Sequence, residues 1–391
     1  MGLLAQHAYG KSNKIDVGLS DNSIDGVILS PKAETPDRLE EYIGEMHAQN
    51  VEVYFDPQFY MCAFEGNIGI GKLDKYEFYP QDTITKKYLS IPQNIHDIVK
   101  RNIDYQKKNG LKTVITPNVF FENFDSRMSQ IALSLANESI SYMGKEEIMI
   151  SICVHENAFA NFEDVKDFLD IISLFDVTGF YIIIERNMND NPNMINSDVM
   201  ANIMYFLYNL ATINMYKVIL GYGDYVGIPF YVTGIDSIAT GWYENVRKFD
   251  RKNFEQKGAM RRPNKRYFSN KILNSLLLIP EIQMIQNQGK LGKVLSDTKY
   301  DHLMYNDLGG GAWTDSNSCI ERWEAIKQIL DQIDKEKEVE SKIDFMRDYI
   351  SEAIGIYRNL PEEYFETKSK STHLKVWEDG LNRFKEILKD I

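Results

Sequence analysis

What most constrains this chain is an alternation. Short apolar runs of strand length take turns with longer stretches of helical period through the first two thirds of its 391 residues. The runs lie at 26–30, 51–55, 112–116, 147–154, 179–184, 216–220 and 236–241. Between them, apolar residues recur at helical spacing over 36–46, 92–108, 126–143, 162–175 and 197–213. Thr35-Pro36-Asp37 sets a capping residue before a proline at the first helical position, and Asn109-Gly110 closes the 92–108 helix. Parallel strands need such crossovers, and near-continuous apolar runs suit strands covered on both faces. Seven units in about 215 residues predict a (β/α)8 TIM barrel. An open doubly wound sheet is the alternative, but no GxGxxG fingerprint follows the 26–30 run. An eighth strand is sought near Lys293-Val294-Leu295 or His302-Leu303-Met304-Tyr305.

Past residue 312 the character changes. Ile320, Trp323, Ile326, Ile329 and Leu330, then Phe345, Tyr349, Ile350, Ile354 and Tyr357, then Leu374, Trp377, Leu381, Phe384 and Leu388 trace amphipathic helices. The reading is a barrel domain over 1–312 with a basic insertion at about 244–271, followed by a helical extension over 313–391. That extension packs on the barrel or on a protein partner.

Composition excludes several classes. A net charge of −13, from 44 basic and 57 acidic residues, opposes whole-surface attraction to a polyanion. Cys62, Cys153 and Cys319 are far apart with no CxxC, so neither a disulfide scaffold nor a cysteine zinc site is expected. Neither an HxH nor an HExxH pattern marks a metal, no GxSxG elbow marks a serine nucleophile, and no metal or cofactor is expected. The opening residues carry no signal-peptide core and no run of eighteen apolar residues exists, so a cytoplasmic location without membrane contact is expected.

Barrel chemistry sits at the C-terminal ends of strands. Reading the run ends in order gives Ser30, Asp56 with Gln58, Thr116 with Asn118, His155 with Glu156, Glu185 with Arg186, Asp224 after Gly221 and Gly223, and Asp236 with Thr240. Asp236, Asp56, Glu185 and Asp224 are the catalytic candidates. Gln58, Asn118, His155, Glu156, Arg186, Gly221, Gly223 and Thr240 are the substrate-binding candidates. Acids gathered at one mouth need cations or protonation, because a buried unpaired charge is costly. Between Glu244 and Lys271, ten basic residues face three acidic ones, a local +7 that leaves −20 for the remainder. Six aromatics are interleaved, including Trp242, Phe249 and Phe254. Such a segment can pair phosphates and stack bases, so Arg247, Lys248, Arg251, Arg261, Arg262, Lys265 and Arg266 are candidate nucleotide or nucleic-acid contacts.

Gly234-Ile235-Asp236-Ser237 late in the barrel, followed by this basic segment, resembles the tRNA-guanine transglycosylase superfamily. The resemblance implies a TIM barrel handling a nucleobase, with Asp236 as nucleophile and Asp56 or Asp224 in the role of the second acid. It departs from that family at the cysteine-rich zinc site, where residues 290–320 offer only Cys319 and His302. The expected function is a transglycosylase- or N-glycosidase-like enzyme. Its alternatives are a glycoside hydrolase using Glu156 and Glu185, and a non-catalytic or partner-activated barrel subunit of a bacterial defence-type complex.

Overall fold

A computed structural model describes residues 2–81, 84–144, 147–186, 191–256, 264–308 and 311–390. Nine short strands build one parallel sheet: β1 (Leu3–Gln6), β2 (Gly26–Leu29), β3 (Glu52–Phe55), β4 (Val114–Ile115), β5 (Phe120–Phe121), β6 (Ile148–His155), β7 (Gly179–Glu185), β8 (Lys217–Gly221) and β9 (Ser237–Thr240). The order is β3-β2-β1-β9-β8-β7-β6-β4, and β5 also pairs with β6. β4 and β5 are therefore one stave interrupted at Pro117, where no N–H is available to the ladder. β3 and β4 lie side by side without a ladder, so the eight staves form a nearly closed TIM barrel.

The stave missing from the sequence count is β1. Leu4 pairs with Gly26 on one side and with Ala239 on the other, which joins the first and last staves. The stretches proposed for an eighth strand form a 3-10 turn at Leu291–Lys293 and a short helix at His302–Asn306. Neither belongs to the sheet. Four residues suffice for β1 because both neighbours cover it completely, and Leu3, Leu4 and Ala5 are fully buried.

Around the barrel run α1 (Lys14–Ser20), α2 (Pro36–Ala48), α3 (Pro92–Lys108), α4 (Arg127–Met143), α5 (Phe162–Ile172), α6 (Ser197–Tyr208) and the one-turn α7 (Ile228–Tyr231). After β9 the chain makes a hairpin, β10 (Arg266–Ser269) with β11 (Asn274–Leu277), and two short helices, α8 (Gln283–Asn287) and α9 (His302–Asn306). α10 (Asp315–Ile333) then packs against α1, α7 and β1 and so closes the helical ring. The boundary expected at 312 thus falls before the barrel's own last helix. Of the helices after residue 312, α11 (Val339–Tyr357) and α12 (Thr372–Lys389) lie outside the ring, and α12 packs along α6. A Cβ on Gly380 would lie 2.6 Å from Met200 Sδ, so glycine is what lets those two helices approach.

Candidate functional site

The barrel mouth is closed rather than open. Asp56 leaves the end of β3 pointing inward and is fully buried. Its Oδ1 accepts from Gln58 N (2.9 Å), and its Oδ2 accepts from the hydroxyls of Tyr60 (2.9 Å) and Tyr181 (3.4 Å). Tyr181 also donates to Gln6 Oε1 at 3.2 Å, and Gln58 reaches Tyr222 OH and accepts from Ser30 Oγ at 2.8 Å. Burial pushes the Asp56 carboxyl up to about 6, with these hydrogen bonds opposing the rise. Phe249 stacks edge-on to Tyr60 and Tyr222 at about 5.3 and 5.4 Å and, with Phe254, seals the network from outside. The start of the basic segment is therefore a strap over the mouth. It is fastened by Phe254 O to Gly69 N, Asn67 O to Gln256 N and Arg251 to Glu185.

The expected ring of acids is dispersed, each acid held by a different partner. Glu185 accepts from Arg251 N (2.7 Å) and Arg251 Nε (2.8 Å), while the same guanidinium reaches Glu122 and lies over Phe120. Arg251 thus fastens the strap. Glu156 and Arg186 form a buried ion pair at 2.6 Å. With both acids committed to arginines, the geometry gives a glycoside hydrolase neither a free acid nor a free nucleophile. Asp236 stands one residue before β9, at the end of the barrel opposite the mouth, where its carboxylate accepts from Val218 N at 2.8 Å. The nucleophile expected from the family resemblance is therefore on the wrong face.

Other candidates have structural tasks. Asn118 accepts from Val119 N and donates to Ser151 O, and His155 Nδ1 accepts from Asn157 N (3.1 Å) to cap the turn after β6. Gly221 and Gly223 leave room for protein rather than ligand: a Cβ would lie 2.6 Å from the Tyr181 ring at the first and 2.5 Å from Ile238 at the second.

The fourth acid leads to a real cleft. Asp224 follows β8 and is buried, bound by Arg322 Nη1 of α10 (3.0 and 3.3 Å) and by Thr240 Oγ1 (2.9 Å). Tyr222 (φ 54°) and Asp224 (φ 46°) both hold left-handed backbone, strain of the kind that clusters at functional sites. Beside them a cleft of about 140 Å³ opens at the β8/β9 rim. Arg247 and Lys248 come from the loop after β9, Lys265 and Arg266 from the hairpin, Arg322 from α10 and Lys368 from the segment before α12. Trp242, Tyr243, Tyr225 and Trp313 supply aromatic wall, and Tyr243 is 38 % exposed.

Each cation is held. Arg247 donates to Gly241 O and Trp242 O; Arg266 donates to Ser275 O and Ser369 Oγ and pairs with Glu366. Arg322 also donates to Ser275 Oγ at 2.7 Å, its guanidinium lying over Phe268. Lys248 Nζ donates to Pro192 O (3.1 Å) and Asn193 Oδ1 (2.9 Å). Desolvation pushes Lys248 down to about 7 and Arg247 to about 10. The candidates Arg261 and Arg262 lie outside the described residues. Sequence reasoning missed Arg322, Asn193 and Lys368. The first is buried in a helix that reads as plain amphipathic, and the other two come from distant loops.

Among the described residues, no group of three or more His, Cys, Asp or Glu side chains is placed to hold a metal ion. No helix among them is long and apolar enough to cross a membrane. No family model matches the chain, and no curated protein matches its sequence. Among solved structures it is similar to the 3-dehydroquinate dehydratase from Aquifex aeolicus VF5. That likeness has 12% identity and a TM-score of 0.28 over 65% of this chain and 95% of that one, and it carries nothing about activity or substrate.

Proposed function

We propose that this TIM barrel is an enzyme acting on a phosphate-bearing substrate of the nucleotide or nucleic-acid class, bound in the β8/β9 cleft. One observation carries the reading: six cationic side chains from four chain segments converge there. Barrels commonly hold phosphate at the loops after their seventh and eighth staves, which here are β8 and β9. The aromatic wall suits a nucleobase. Asp224 is the one expected carboxylate that borders this cleft, and its pairing with Arg322 holds that guanidinium in the cleft wall. Lys248, poised near neutrality, supplies the proton transfer.

The test is isothermal titration of the full chain with inorganic phosphate and with GMP. Binding that weakens as salt rises supports the reading, as does at least a tenfold loss of affinity in Lys248→Met. Absence of binding by both ligands at millimolar concentration sinks it.

A further inference from the structure

The cations at the cleft form a point, not a track. Six basic residues line it against three acidic ones, Asp224, Glu244 and Asp315, a local +3 in a chain of −13, so the remainder carries −16. Two other cations of the basic segment are paired, Arg251 with Glu122 and Glu185 and Lys271 with Asp297 at 2.9 Å. With −16 on the remainder of the chain, the further phosphates of a polynucleotide meet net negative charge. A terminal phosphate instead concentrates two charges where the cations converge.

Resting on the reading above, we propose that the cleft selects the phosphomonoester of a mononucleotide over the phosphodiester backbone of a nucleic acid, with the base against Tyr243 at the rim. The selection has a pH signature. A monoester gains its second charge near pH 6. Lys248 loses its charge near 7, in a field set by Asp224, Glu244, Arg186 and Arg322. Monoester affinity therefore peaks between about 6 and 7, whereas a diester, singly charged throughout, only weakens as pH rises.

The deciding experiment is calorimetry on the full chain with GMP, inorganic phosphate, the dinucleotide GpG carrying no terminal phosphate, and a 20-nucleotide single-stranded RNA, from pH 5.5 to 8.5. GMP is expected to bind at least tenfold tighter than GpG, with a bell-shaped pH dependence. RNA is expected to bind no tighter than GpG. Tyr243→Ala should weaken GMP about tenfold and leave inorganic phosphate unchanged. Lys368→Ala, at a half-exposed position, should weaken both. GpG or RNA binding as tightly as GMP overturns the selection while leaving a phosphate site standing. GMP binding no tighter than inorganic phosphate overturns the base contact, and failure of every ligand removes the site itself.

Discussion

Asp56 is a carboxylate over which the fold has closed. Its ordinary value is 3.8 and its buried value about 6, so the native state holds an extra proton between those two pH values. The unfolded state binds fewer protons there, so stability falls as pH rises from about 4 to 6 and stays lower above that. The full swing is roughly 3 kcal/mol. In Asp56→Asn that slope should vanish, which urea denaturation across pH 4–7 will read; an unchanged slope would assign it to other groups. Asp224 and Arg322 present a different case, a buried pair in contact at 3.0 Å. Asp224→Asn strands the buried guanidinium and should cost roughly 3–5 kcal/mol, whereas replacing both partners with leucine and methionine should cost clearly less than the two single changes combined. Equal additive losses in a double-mutant cycle would show that the two residues do not act as a pair.

At the scale of elements, the strap and the last helix decide what the barrel can do. Phe249 plugs the mouth between Tyr60 and Tyr222, and Phe249→Ala should cost roughly 3–5 kcal/mol by leaving a cavity there. α12 does more than cover α6. Trp377 Nε1 donates to Asn193 O at 3.1 Å, and Asn193 Oδ1 accepts from Lys248 and from Tyr225 OH (2.6 Å). Trp377→Ala should therefore lower the urea midpoint and also weaken phosphate binding severalfold, although it lies outside the cleft. Affinity unchanged in the folded variant would uncouple the extension from the site. The extension that reads in sequence as packing on the barrel or on a partner is thus packed on its own barrel, and it supplies Lys368 to the cleft.

For the whole molecule, charge placement matters more than net charge. A chain of −13 gathers six cations at one rim, so attraction for anions is local and shielded by salt within about 10 Å at 0.1 M. Because Lys248 is neutral above about 7, affinity for inorganic phosphate should fall severalfold from pH 7 to 8.5. Lys248→Arg, whose guanidinium keeps its charge, should flatten that fall; an equally steep fall would place the titrating group elsewhere.

The sequence by itself determined seven of the eight staves and most of the ring. Helix and strand periods are local, and Pro36, Pro92 and Gly110 punctuate the chain where the ends of α2 and α3 fall. It left β1 unread because four residues carry too little period to register, and only pairing with β2 and β9 makes Leu3–Gln6 a strand. Tertiary structure decided the chemistry. Which end of a stave Asp236 occupies, which arginine neutralises Glu156, Glu185 or Asp224, and whether the mouth stands open all depend on contacts between residues up to about 190 positions apart. A charge announces itself in sequence, but its partner does not, and the energy of a buried charge belongs to the pair.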